Sequence, residues 1–211
     1  MPLLTNQFEV QNIPLSELRK EESVSIFENV SFGFFVYLMT DLVLFASLFA
    51  VYAVLHKNIA SGPSGYQIFN LNTVLLETLL LLTSSFTTGL TILALRSKRK
   101  KAVYLYLMIT FLLGLSFILI ELNEFNHLVL IGDSWRVSGF LSSFFTLVGT
   151  HGLHITIGLI WMLFLAYRLH KTGFSRATIR RFTIFSLFWH FLDVVWIFIF
   201  TVVYLMGAIR L

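Results

Sequence analysis

Cysteine is absent from all 211 residues, and that absence excludes disulfides, iron–sulfur clusters, thiolate zinc sites and a cysteine nucleophile. Proline is nearly absent too. Pro2, Pro14 and Pro63 all lie outside the long apolar runs, so no run is interrupted by a residue that lacks a backbone donor. Charge is scarce at 12% of residues, against 57% hydrophobic residues and a mean hydropathy of +0.83. So few charges cannot clothe a soluble domain of this size, and the composition is that of an integral membrane protein. The formal charge of +4 and pI near 9.5 would suit nucleic acid if the basic residues formed a patch. They stand instead in short groups between apolar runs, the pattern that sets membrane topology, which argues against a nucleic-acid partner.

Five apolar runs are present, at 33–55, 71–95, 102–122, 140–167 and 182–207. Each reaches the ~20 residues that a helix needs to cross a hydrocarbon core of about 30 Å. The expected fold is an all-α bundle of five transmembrane helices. Residues 96–101 (RSKRKK) and 168–181 each carry five basic residues, whereas the other side has Lys57, Arg136 and Arg210. The positive-inside rule then places the N-terminus in the cytoplasm and the C-terminus on the periplasmic or external side. Residues 1–31 are expected to be a polar cytoplasmic segment, flexible or lying on the surface, ahead of a five-helix domain at 32–211. That segment has no basic stretch followed by an apolar one, so no cleavable signal peptide is expected. The SGPSG stretch at 61–65 reads as a turn. Residues 123–139, with the apolar patch LVLI, read as a helix extension followed by an interfacial loop.

Ionisable groups inside such runs are the informative exceptions. Asp41, Glu77, Glu121, Glu124 and Asp193 fall within or at the edge of a run, joined by His127, His151, His154 and His190. At ~1.5 Å rise per residue, Asp41 lies about 12 Å into the first helix and Asp193 about 17 Å into the fifth. His151 and His154 reach a similar central depth from the other side, and Glu77, Glu121 and Glu124 gather toward the outer face. His190 and Asp193, three residues apart, share one face of their helix.

Each group has two readings. A carboxyl or imidazole in a span can be interhelical glue, hydrogen-bonded to Ser, Thr, Tyr or a backbone carbonyl, or part of a proton path. His151 and His154 at i, i+3 could also share a metal or, with His190, serve a haem, but no attachment motif or second pair accompanies them. Glu124-Phe-Asn-His127 fits half of a carboxylate-bridged di-iron site, with Glu77 and Glu121 as further oxygens. Such a site takes the motif from two helices, and only one copy exists, so no metal is assigned to this chain. Gly149, Gly152 and Gly158 point to close packing of the fourth helix. Phe185, Phe188, Phe191, Phe198 and Phe200 suit surfaces facing lipid or another subunit. Arg168, Arg180 and Arg181, at the cytoplasmic ends of the last two helices, are candidates for anionic lipid headgroups.

The runs FLSSFFTLVGTHGLHITIGLIWM (140–162) and SLFWHFLDVVWIFIFTVVYLMG (186–207) resemble subunit III of haem–copper terminal oxidases. GFFVYLMTDLVLFASLFAVYAVL (33–55) and VLLETLLLLTSS (74–85) resemble the same family in the same order. The similarity is narrowest to the cytochrome o-type ubiquinol oxidase branch and runs from about Ser31 to the C-terminus. It implies a five-helix accessory subunit of a proton-pumping quinol oxidase, shorter by two N-terminal helices than the cytochrome c oxidase relatives. It also implies a bacterial inner membrane, direct packing on subunit I, and subunits II and IV in the same complex. Haem and copper would reside in subunit I and none in this chain, with phospholipid held in a cleft and proton uptake supported. Asp41 stands where relatives have a buried carboxylate; His151, His154, His190 and Asp193 are expected to be structural. The alternatives are subunit III of a cytochrome c oxidase, a freestanding di-iron enzyme, and a small proton-coupled transporter titrating at Asp41 and Asp193. Against the transporter, the spans are unbroken by proline and show no internal repeat.

Overall fold

The structure, a computed structural model, describes residues 15–59, 63 and 65–208, with side chains from Val30 onward except those of Gln67 and Ala208. Ser61, Gly62 and Ser64 of the expected turn, Arg210, and residues 1–14 lie outside the described residues. The described residues form helices only: α1 (Leu15–Leu55), α2 (Gly65–Ile68), α3 (Leu71–Arg96), α4 (Lys100–Leu130), α5 (Gly139–Thr172) and α6 (Arg176–Ile199). A π-helical stretch, Phe200–Leu205, continues α6 and is followed by the short α7 (Met206–Ala208). Five helices are long and apolar enough to cross a membrane: Val30–Leu55, Leu71–Arg96, Lys100–Leu130, Gly139–Thr172 and Arg176–Leu205.

Every expected run is a helix, and the ends differ for local reasons. α4 continues to Leu130 and takes in most of the LVLI patch, so the external segment is helix for nearly half its length. Helix α1 begins at Leu15, so residues 15–31 of the polar N-terminal segment are helical. The chain divides into two units between Tyr37 and Leu38. In the first, the rings of Phe34 and Tyr37 stand 5.7 Å apart. All packing described below belongs to the second.

Helix ends follow side-chain chemistry. Asn70, Ser138 and Ser175 cap α3, α5 and α6 by accepting the backbone N–H of Asn72, Leu141 and Thr178. The ends of α3 and α4 share one closure. The Arg99 N–H donates to the Ala94 carbonyl (3.0 Å) and the Lys98 N–H to Leu95 (3.1 Å), as Asp133 does to Leu128 (2.9 Å) and Gly132 to Val129 (3.2 Å). That closure needs a left-handed residue. Gly132 supplies it at φ 97°, and Lys98 supplies it at φ 54° with a side chain in place.

Packing between helices is keyed by hydroxyls and indoles. Thr87 of α3 meets Thr110 of α4 at 2.7 Å. Two indoles of α6 donate to α3, Trp189 to Ser84 (3.1 Å) and Trp196 to Thr78 (3.0 Å), and the reversed numbering makes the pair antiparallel. Trp189 also fills a cradle of glycines. A Cβ at Gly158 of α5 would stand 2.7 Å from its ring, and one at Gly114 of α4 would stand 3.2 Å away. Gly149 and Gly152, by contrast, have room for a methyl group, so close approach on α5 is concentrated at Gly158. Phe185 and Phe188, expected at the surface, are buried in the same layer, packed at 5.5 and 5.7 Å on Trp161 of α5, whereas Phe198 is exposed.

Candidate functional site

The polar residues inside the spans fall into three groups. The first joins α1 to α5. Asp41 and His154 are both buried, with Asp41 Oδ1 at 3.8 Å from His154 Nε2. The His154 Nδ1 lies 2.8 Å from the Thr150 carbonyl, and since a carbonyl only accepts, Nδ1 carries the hydrogen. Nε2 then faces the carboxyl oxygen at ion-pair distance, longer than a hydrogen bond. Phe45 covers the pair, its ring 5.2 Å from His154.

A second group, toward the other end of the spans, brings Glu77 of α3 against Glu121 and Glu124 of α4, with one carboxyl oxygen from each within 4.8 Å of the others. Glu77 and Glu121 are fully buried, and none of their four oxygens has a hydrogen-bond partner. Three carboxyl groups at that spacing in apolar surroundings repel when ionised, so protons or a cation must share the site. The donor set is all oxygen, which would suit a hard cation rather than haem iron or copper. His127, the imidazole of the Glu-x-x-His pattern, is exposed and stands outside this group. The π-helical turn sets the buried, unpartnered hydroxyl of Tyr204 within electrostatic reach of all three glutamates. His151 is also fully buried with both ring nitrogens unpartnered. It is stacked at 5.3 Å on Trp196 and edge-on at 6.0 Å to Phe117, so aromatic faces surround it.

The third group ties α3 to α6. Ser85 Oγ lies 2.5 Å from His190 Nδ1, while His190 Nδ1 and Asp193 Oδ2 are 4.0 Å apart. The same nitrogen faces both neighbours, so this is not the geometry of a nucleophile relay, which uses opposite ring nitrogens. His190 and Asp193 thus share one face of α6, and His190 is held there by a serine of another helix. Ser85 is one of the residues that sequence reasoning passed over, with Thr78, Ser84 and Tyr204. A visible signal for three of them was the hydroxyl stripe of α3 (Thr78, Ser84, Ser85, Thr87, Thr88, Thr91) inside an otherwise apolar run. Of the basic residues, Arg168 lies near the end of α5 with its Nε buried and unpartnered, and Arg180 and Arg181 lie in the opening turns of α6.

Among the described residues these groups join helices in pairs: α1 with α5, α3 with α4, and α3 with α6. A family model for cytochrome c oxidase subunit III matches residues 11–208, reaching back past the Ser31 limit seen by resemblance. Subunit 3 of the cytochrome bo(3) ubiquinol oxidase of Pseudomonas putida is 54% identical over 177 residues, covering 84% of this chain and 86% of its own. The protein of the same name from Pseudomonas aeruginosa is 55% identical over 181 residues, covering 86% and 87%. Subunit 3 of a cytochrome c oxidase from Bacillus sp. (strain PS3) is 45% identical over 182 residues, covering 86% and 88%.

Proposed function

This chain belongs to the cytochrome c oxidase subunit III family, and from that membership we propose that it is the non-catalytic subunit III of a respiratory quinol oxidase in a bacterial inner membrane. The observation that carries the reading is the match along nearly the whole chain, at more than half identity to subunits of ubiquinol oxidases. Membership implies assembly with other oxidase subunits. In our reading this chain packs directly on subunit I, with subunits II and IV in the same complex, and oxygen is reduced at haem and copper held by subunit I. Its N-terminus faces the cytoplasm.

The residues contribute by holding geometry. Asp41 with His154, Ser85 with His190, and the two indoles with Ser84 and Thr78 replace hydrophobic association, which lipid does not provide, with specific interhelical polar contacts. Lipid has a place too. An apolar groove of about 270 Å³ between Leu107, Met108 and Phe111 of α4 and Met162, Leu163 and Ala166 of α5 suits an acyl chain, with Arg168 just beyond Ala166 for a headgroup.

The test is purification in mild detergent through a tag on this chain, with subunit identification and a visible spectrum. A multi-haem subunit is expected to come down with it, and the chain stripped of partners is expected to be colourless. A chain that purifies alone without colour would turn attention to proton-coupled transport, and iron bound to the isolated chain would turn it to Glu77, Glu121 and Glu124. In the intact complex, Asp41→Ala is expected to leave haem content unchanged and to alter turnover less than tenfold; loss of haem would contradict the accessory role.

A further inference from the structure

Six hydroxyls on the exposed faces of the spans are satisfied within their own helix. Ser47, Thr83, Ser116, Thr146, Thr150 and Thr201 each donate to the carbonyl one turn back, at 2.7–2.8 Å. Such residues can face acyl chains at little cost. His190 is different. Its side chain is 45% exposed, and its second ring nitrogen, Nε2, has no partner among the described residues. It stands eight residues past Phe182, where the apolar run begins, about 12 Å into the helix and inside the hydrocarbon core. An ionisable ring at that depth is expected to face protein or a water-filled cavity rather than lipid.

The surroundings complete a helix-sized seat. On α6 the exposed residues Leu187, Val194 and Ile197 continue the His190 stripe above and below it. Leu82 and Gly89 of α3 flank it, and a Cβ at Gly89 would touch nothing within 4 Å, so a neighbouring backbone can come close. The exposed face of α5, with Leu153, Ile157, Ile160 and Leu163, carries no comparable polar group.

We infer that the α3/α6 face centred on His190 is where a transmembrane helix of another oxidase subunit docks, and that this helix supplies a hydrogen-bonding group to His190 Nε2. This rests on the proposed role as an oxidase subunit. The partner's chemistry follows from the Ser85–His190 contact. With His190 Nδ1–H donating to Ser85 Oγ, Nε2 is left an acceptor for a hydroxyl, amide or indole donor on the partner helix.

The experiment uses the whole complex in native membranes, with the photoreactive residue p-benzoylphenylalanine placed singly at Val194, Leu82 or Ile160, and purification through a tag on this chain. Irradiation is expected to join the chain to another oxidase subunit from Val194 and Leu82 and not from Ile160. Lipid adducts alone at Val194 and Leu82, while haem still co-purifies, would overturn the inference and spare the functional reading. Failure of haem to co-purify from the unaltered chain would overturn both. Independently, His190→Leu is expected to lower retention of this chain on the complex about threefold to twentyfold, with His190→Gln recovering much of it. Equal retention in both variants would count against the contact.

Discussion

Trp189 concentrates the packing logic of the protein in one side chain. Its N–H is held by Ser84, its ring lies across Gly114 and Gly158, and Phe185 packs beside it at 5.6 Å, so four helices meet around one indole. Gly158→Ala forces a methyl group against a ring that cannot swing aside, and overpacking of this kind costs about 1–3 kcal/mol. The expected result is a lower temperature at which this subunit leaves the purified complex. Trp189→Phe in the same chain should recover part of the loss, because the smaller ring vacates the space the methyl group needs. Asp41 tests the other kind of residue. Asp41→Asn offers an amide donor to His154 Nε2 and should keep the subunit attached, whereas Asp41→Leu leaves that nitrogen bare and should weaken retention in detergent. Equal retention of the two would show that the Asp41–His154 contact does not hold α1.

At the scale of the element, the two matching helix ends make opposite predictions. Gly132 and Lys98 occupy the same left-handed position after α4 and α3, but only one of them is glycine. A side chain there costs about 1–2 kcal/mol, so Gly132→Ala should destabilise the chain by about that amount and Lys98→Gly should relieve a similar penalty. Thermal unfolding of the complex, followed at this subunit, reads both signs. The π-helical stretch is the other feature of an element that pattern reading could not show. One extra residue per turn changes which side chains of Phe200–Leu205 face inward, and it buries Tyr204 where a regular continuation of α6 would have advanced it around the axis.

For the whole molecule, the quantity to establish is orientation across the membrane, which charge asymmetry predicts. The absence of cysteine makes the test direct, since any cysteine introduced into this chain is its only one. Ser97→Cys, between α3 and α4, should react with an impermeant maleimide only in inside-out vesicles, and Ser134→Cys, between α4 and α5, only in right-side-out ones. The reverse pattern would invert the topology and place Arg168, Arg180 and Arg181 at the outer leaflet. The same membranes carry the α3/α6 docking test, so orientation and partner contact can be read on one preparation.

Helix number, helix type and the approximate span limits were legible in the sequence because burial in lipid demands long, uninterrupted apolar segments, and that demand is local and periodic. Family membership was legible in the Thr-His-Gly-Leu-His stretch at 150–154 and the Trp-His-Phe-Leu-Asp stretch at 189–193, where identity is read residue by residue. The sequence also named the ionisable residues, but not their partners. That Asp41 meets His154, that Glu77 joins Glu121 and Glu124, and that Ser85 meets His190 depend on how five helices rotate and slide against one another. Rotation is set by close packing at Gly114, Gly158 and the two indoles, an interaction between residues far apart in the chain. No single segment contains it, so only the tertiary structure decided which polar groups are satisfied inside and which, like His190, still face outward.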